Sequence, residues 1–461
     1  MSLLSLPVAA RAQHAAGPVP PRLDTTVVAG ALGARLDSLL ERYAEYGYGG
    51  TALVVRRGAV VLLKGYGWAD REARVPNGPT TYYDFGSITK TLTGAAVLAL
   101  EAEGRLSTTD LLSRWLGPMP PSKAGATVEH LAKHTSGLVA DGAPVGDTSR
   151  RVFMTQMRDT PAESAPGERY RYTNAGVSLL AAIVEEASGR PYADYVRDVL
   201  LRPAGIDAAF SWEPAWARRR ARGYVAAPGH PPELVPDRPL VWGSRGAGGW
   251  IATVGDVYRW HVALFGETLL PPAQRARLLD STATEAYGWR YEPHGRNGAP
   301  VVSKGGDTPG FHSQLLHYPR QDVVIVWVNN DRRHRWRDLL NEGLTRLALG
   351  ETPLPLPPRV TPLGDRALAA LAGRYEAAAG GAVELRAATG QGYLYVAAAD
   401  SLPRETMYFP VGPLRFVGLP ARGATPLTLE FRRDGSASVR ALAWSDGRRA
   451  MTARRVSSGR R

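Results

Sequence analysis

Ser87 and Lys90 stand three residues apart in the run Phe85-Gly86-Ser87-Ile88-Thr89-Lys90. A serine hydroxyl is a poor nucleophile at neutral pH and needs an adjacent base. At this spacing on a helix the two side chains share a face, with Cβ atoms about 5–6 Å apart. A lysine buried there can lose its proton readily enough to be that base. Two further elements follow in order, Tyr172-Thr173-Asn174 and Lys304-Gly305-Gly306. Tyr172 reads as a second proton carrier, its phenol pKa lowered by Lys90 and Lys304. Asn174 offers an amide donor and acceptor to substrate and to Lys90. Lys304 brings positive charge toward a substrate carboxylate or a developing oxyanion. Gly305 and Gly306 let substrate approach the backbone closely. Each piece also has a plain structural reading: Ser87 as a helix N-cap, Tyr172 and Asn174 as loop residues, the glycines as an ordinary turn. The chemistry expected is serine acyl transfer that needs no histidine.

These residues must be held by particular elements. Ser87 is expected to open a helix whose continuation, Leu92 to Ala102, is apolar on nearly every side and therefore central and buried. A lysine at the start of such a helix is costly to bury without a task or partner. Upstream, the pattern predicts a helix over Ala31–Tyr46 and a hairpin of Thr51–Arg56 and Ala59–Tyr66 around Arg57-Gly58. Residues 105–240 alternate short helical runs with Pro- and Gly-rich loops, and include Val128–His134 and a longer helix from Val177 to Ala187. The glycine-dense Arg245–Thr253 leads into a helical run over Val254–Phe265. Strands are predicted at Gln314–Tyr318 and Val323–Asn329, followed by an amphipathic helix over Trp336–Leu349.

With 461 residues and 44% apolar content, the chain can bury a large core and more than one domain. No stretch reaches the roughly 18 uninterrupted apolar residues of a membrane-spanning helix, so no integral membrane segment is expected. The net charge is +13, yet lysine occurs only five times (Lys64, Lys90, Lys123, Lys133, Lys304) among 56 basic residues. Arginine replaces lysine at most exposed positions, but not where a compact, deprotonatable amine is needed. Two of the five fall in the suspected site. The clusters Arg218-Arg219-Arg220 and Arg332-Arg333-His334-Arg335 come with no nucleic-acid motif and read as solvated faces, so no nucleic-acid partner is expected. There is no cysteine, which excludes disulfides, thiolate zinc sites and cysteine nucleophiles. His130 and His134 lack the glutamate and third ligand of a zinc site, so no metal or other cofactor is expected. No serine sits in a G-x-S-x-G elbow, which argues against an α/β-hydrolase.

Residues 1–12 (MSLLSLPVAARA) look like the end of a secretory signal, with Ala10-Arg11-Ala12 as the cleavage site. Residues 1–25 are accordingly read as signal remnant and leader of an exported protein, periplasmic or secreted, with 26–350 as the catalytic domain. Residues 351–364 carry five prolines and read as a semi-rigid linker. Short alternating runs then predict a small all-β unit over 365–461, a barrel or sandwich. They are Val383–Arg386, Tyr393–Val396, Met407–Phe409, Leu414–Val417, Leu427–Phe431, Val439–Trp444 and Met451–Arg454. Asp434-Gly435 and Asp446-Gly447 serve as hairpin turns.

The order S-x-x-K, Y-x-N, K-x-G resembles the penicillin-recognising serine hydrolases, in particular their class C β-lactamase-like branch. Val128 to Leu138 (VEHLAKHTSGL) is similar to that branch's LLxHTSGL element, and Pro166-Gly167-Glu168 leads to Tyr172 as in its PGxxFxYSN stretch. Gly248 to Asp256 resembles GGLxSTxxD, and Lys304 to Phe311 resembles HGGxxPGF with lysine in place of histidine. The resemblance spans about residues 35–345. It implies an α/β (α+β) fold, with an antiparallel sheet flanked by helices and a mainly helical lobe, followed by the small all-β domain. It also implies an acyl-enzyme mechanism. Ser87 attacks a carbonyl while Lys90, helped by Tyr172, takes the proton. The backbone N–H groups of Ser87 and Asp307 bind the oxyanion, a role that requires the Asp307 carboxylate to turn away. Tyr172 then protonates the leaving group and activates the deacylating water. The resemblance makes His130 and His134 structural, and Glu168 reads as a surface-loop carboxylate. The substrate class is a small-molecule or short-peptide acyl donor; β-lactamase, D-alanyl-D-alanine carboxypeptidase, D-amino-acid peptidase and carboxylesterase all use such a site, and an esterase or peptidase reading is favoured over a dedicated β-lactamase. A penicillin-binding sensor that stays acylated, or an inactive relative, is the competing class. Oligomeric state is left open.

Overall fold

The structure, a computed structural model, describes residues 19–456 except 139–148, 226–229, 238, 333–335, 379, 400–405, 420–425 and 434–437. The signal-like stretch, the Asp434-Gly435 turn and most of the Arg332–Arg335 cluster thus lie outside the described residues.

The central sheet is built from β1 (Val27–Val28), β2 (Gly50–Arg56), β3 (Ala59–Tyr66), β4 (Arg290–Glu292), β5 (Val301–Thr308), β6 (Phe311–Tyr318) and β7 (Val323–Asn329). All pairs are antiparallel, in the order β1-β3-β2-β7-β6-β5-β4. Strands from early and late in the sheet's sequence therefore meet at β2–β7, whose residues are buried on both faces almost throughout. That double burial is why Val323–Val328 is apolar without alternation. The helices are α1 (Gly30–Glu45), α2 (Thr89–Ala102), α3 (Val128–Ala132), α4 (Asn174–Ser188), α5 (Val254–Phe265) and α6 (Trp336–Leu349). α1 and α6 pack together over one sheet face, and α5 packs against β2 and β7. α2 is buried from Thr89 through Leu100 and packs on α4, at the heart of the mainly helical lobe.

Two expectations need correction. Ser87 does not open the α-helix: it sits in a 3-10 turn, Gly86–Ile88, and regular helix begins at Thr89. β6 starts at Phe311, three residues before the predicted Gln314, because its early residues pair with the functional end of β5.

After α6 the chain runs extended through the proline-rich segment to a short helix, α7 (Asp365–Leu371), and then to a closed eight-stranded barrel. Its strands are β8 (Gly373–Ala377), β9 (Ala382–Ala388), β10 (Tyr393–Ala399), β11 (Met407–Pro410), β12 (Arg415–Gly418), β13 (Leu427–Arg433), β14 (Val439–Ser445) and β15 (Ala450–Arg455). β8 pairs with β15 and closes the ring, which leaves no sheet edge to aggregate. The proline-rich segment is anchored rather than loose. Tyr46 donates to Pro358 O at 2.8 Å, and Glu45 accepts from Arg359 and from the Val360 N–H. The barrel also shares a buried core with the α1/α6 layer, where Tyr46 and Phe409 rings lie 5.0 Å apart.

Candidate active site

Ser87 is presented by a turn fixed from four directions. Gly86 has φ +52°, and a Cβ there would come within 2.9 Å of Asp307 N, so only glycine suits both the backbone and its neighbour. Asp84 Oδ1 accepts from Gly86 N at 2.8 Å, and Thr89 Oγ1 donates to Gly86 O at 2.6 Å. Ser313 Oγ, from β6, donates to Phe85 O at 3.0 Å. Gly306 has no room for a side chain, because its Cβ would stand 1.9 Å from Phe85 O. This glycine allows the close passage of the Ser87 turn over β5, and it also lines one of the cavities at Ser87.

The buried Lys90 ammonium sends hydrogen bonds to Ser87 Oγ at 2.9 Å, Asn174 Oδ1 at 2.7 Å and Ala247 O at 2.8 Å, all neutral oxygens. Tyr172 OH donates to the same Ser87 Oγ at 3.0 Å. Thr173 caps α4 by accepting from Gly176 N, which seats Tyr172 just before the helix and Asn174 at its first position. Loss of a proton from Lys90 or Tyr172 would reverse its bond to Ser87 and let that group accept the hydroxyl proton.

Lys304 lies beside this cluster, its Nζ 5.3 Å from the Tyr172 ring centroid, with Lys90 Nζ at 5.0 Å. It does not stand free for a substrate carboxylate. It is ion-paired with Glu285, a residue the sequence reading did not single out. Glu285 also accepts from His134 Nε2 at 3.2 Å, and the His134 ring stacks on Tyr172 with centroids 4.6 Å apart. Burial alone would raise the Glu285 pKa, but the Lys304 ammonium and the His134 bond hold it well below the usual carboxylate range. Burial pushes the His134 imidazole down, toward its neutral form. His134 thus packs directly against the tyrosine of the site and ties it to the Glu285–Lys304 pair. His130 has a separate duty, closing the capping box at the start of α3 with Thr127. Glu168 sits on an exposed loop and caps Ala165 N.

No motif marks Glu285. A buried lysine at position 304 calls for a counter-charge, but the spacing along the chain does not say which carboxylate supplies it. The segment bearing Glu285 is pinned by its neighbours. Tyr287 N donates to Ala132 O at 3.0 Å, and Arg277 bridges Tyr287 OH, Glu101 and Glu129.

Asp307 shows how the oxyanion expectation can be physically consistent. β4 pairs with β5 only through Ser303, so from Lys304 onward that edge of β5 has no strand neighbour and faces the Ser87 turn. Strand alternation sends the Asp307 side chain to the sheet face opposite Lys304. There Arg332 Nη1 at 3.0 Å and His312 Nε2 at 3.2 Å hold the carboxylate. Burial opposes its ionisation, yet His312, Arg332 and Arg337 lower its pKa. The charge is spent there, while the backbone N–H stays beside Gly86.

All five lysines have fixed partners. Lys64 pairs with Asp37 and Glu41, Lys133 with Glu129 and Asp280, and Lys123 donates to the Met157 and Arg158 carbonyls. Two cavities open on Ser87, of about 840 Å³ and about 730 Å³, with Ser87, Asn174 and Asp307 in the walls of both. Among the described residues, no cluster of three or more histidines and carboxylates is disposed to hold a metal. None of the described helices is long and apolar enough to cross a membrane.

The Beta-lactamase family model matches residues 36–349. A penicillin-binding protein of Bacillus subtilis (strain 168) is 25% identical over 323 residues, which cover 64% of this chain and 71% of that protein. The octameric penicillin-binding protein homologue from Pyrococcus abyssi superposes with a TM-score of 0.65 at 22% identity, over 92% of this chain and 100% of that one. The β-lactamase/D-alanine carboxypeptidase from Pseudomonas syringae gives 0.61 at 21% identity, over 70% of this chain and 99% of that one. At these identities the two structures speak for the fold.

Proposed function

Since the chain belongs to the Beta-lactamase family of serine hydrolases, we propose that it hydrolyses an ester or amide through an acyl-enzyme on Ser87, as an esterase or a D-amino-acid peptidase or carboxypeptidase rather than a dedicated β-lactamase. One observation carries this reading: Lys90 Nζ and Tyr172 OH both reach Ser87 Oγ, at 2.9 and 3.0 Å. Lys90, with Tyr172, takes the serine proton as Oγ attacks the carbonyl carbon. The N–H groups of Ser87 and Asp307 receive the developing oxyanion. Tyr172 passes the proton to the leaving group and then draws one from the attacking water, while Asn174 holds Lys90 and the acyl amide. Lys304 keeps positive charge near the phenol, and Gly305 and Gly306 form the β5 edge along which substrate lies. The catalytic unit is assigned to residues 26–350, joined by 351–364 to a β unit of residues 365–461. The signal-like run of residues 1–12 supports a reaction carried out after export, in the periplasm or outside the cell.

The test is intact mass after incubation with a fluorescent penicillin and with a short activated ester, for wild type and Ser87→Ala. A transient acyl mass with product release is expected for wild type only. A lasting adduct would favour the sensor reading, and no serine-dependent adduct or turnover with any acyl donor would sink the mechanism.

A further inference from the structure

Three residues ahead of the nucleophile, Asp84 forms part of the wall of the larger cavity. Its Oδ1 accepts the Gly86 N–H, and among the described residues no lysine, arginine or histidine forms an ion pair with it. Removal from water without a counter-cation pushes its pKa up to about 6. An asparagine would accept the Gly86 bond equally well with no charge to desolvate, so steadying the turn leaves the carboxylate unexplained. The cations of the same wall are engaged elsewhere. Arg197 pairs with Asp194 and Asp198, and Arg245 lies over the Trp242 ring at 4.9 Å. Phe210 and Leu240 add apolar surface to the cavity. The wall thus offers Asp84, a carboxylate with no ion-pair partner among the described residues, and the exposed Glu213, beside room for an apolar side chain.

We propose that Asp84 binds a primary ammonium on the acyl half of the substrate, so that the preferred substrates are aminoacyl esters or amides with an unblocked amine. Such a group replaces the missing counter-cation and gives a charge-assisted bond inside a partly desolvated site. Binding fixes the acyl carbonyl relative to Ser87 and leaves the N-blocked analogue with an unpaired carboxylate beside it, which is a strong basis for rejection. This rests on the hydrolase reading above.

The test compares kcat/KM for methyl esters of D- and L-leucine with their N-acetyl counterparts, in wild type and Asp84→Asn, with 4-nitrophenyl acetate as a reference acyl donor. Wild type is expected to favour a free amine by about tenfold or more in at least one stereochemical series. Asp84→Asn, which keeps the Oδ1 acceptor for Gly86, is expected to collapse that ratio toward one whatever happens to absolute rates. A wild-type ratio near one overturns the proposal, as does a ratio unchanged in Asp84→Asn; in both cases Ser87-dependent turnover of 4-nitrophenyl acetate leaves the hydrolase reading standing. Absence of Ser87-dependent turnover of every ester overturns the hydrolase reading itself, and this proposal with it.

Discussion

At Ser87 two different donors converge on one oxygen, and the ring of Tyr172 is held independently of its hydroxyl by the His134 stack. Tyr172→Phe should therefore leave the fold intact while lowering kcat by about 10²–10⁴, read as slowed acylation and deacylation in single-turnover mass spectrometry with an unchanged melting temperature. Glu285 behaves differently, because it compensates a buried lysine. Glu285→Gln strands the Lys304 charge and should cost about 3–5 kcal/mol of stability, measured by denaturant unfolding, with Glu285→Gln/Lys304→Met recovering part of it. The sign of its pH dependence follows from a lowered folded-state pKa. The pair's contribution is complete above the ordinary glutamate value, about 4.3, and is lost as pH falls below it toward the depressed native value. Wild type should lose stability over that acid range more steeply than Glu285→Gln. Ser87, Lys90, Tyr172 and Asn174 were legible because their order and types carry the chemistry. Glu285 was not, since only the fold brings position 285 to position 304.

Among the elements, the passage of the nucleophile turn over β5 sets the tightest constraint. Gly306→Ala would drive a methyl group into Phe85 O, whereas the one close neighbour of a Cβ on Gly305 is the Gln314 Oε1, the far end of a flexible side chain, the Ser313 O lying at an ordinary 3.7 Å. Gly306→Ala should thus lose most acylation activity by displacing Ser87 from Asp307 N, and Gly305→Ala should retain far more; burst amplitude with an activated ester separates the two. The sequence marks both glycines alike, because a single chain shows that space is needed without showing what fills it. Helices with strong apolar periodicity, such as Trp336–Leu349, were placed to the residue. β8 escaped notice because Gly373–Ala377 buries only Tyr375 fully among polar and small residues, too little for an alternating pattern.

At the scale of the whole molecule, the barrel and the seven-stranded sheet unit share one core across the α1/α6 layer, on the sheet face away from α2 and Ser87. Phe409→Ala should destabilise by about 3–5 kcal/mol and separate the melting of the two units in calorimetry, with kcat/KM unchanged at temperatures where both remain folded. A proline-rich composition predicted the connection but not its anchoring, since Pro358 and Val360 present only backbone groups to Tyr46 and Glu45. The lysines carry a last consequence. Each is at least partly covered and committed to an oxygen partner, while the remaining positive charge is guanidinium. Among the lysines, amine-directed acylating labels should reach the partly exposed Lys64 and Lys133 far sooner than the buried Lys90, Lys123 and Lys304. Slow labelling of Lys90 or Lys304 would then act as a clock for the opening of the site.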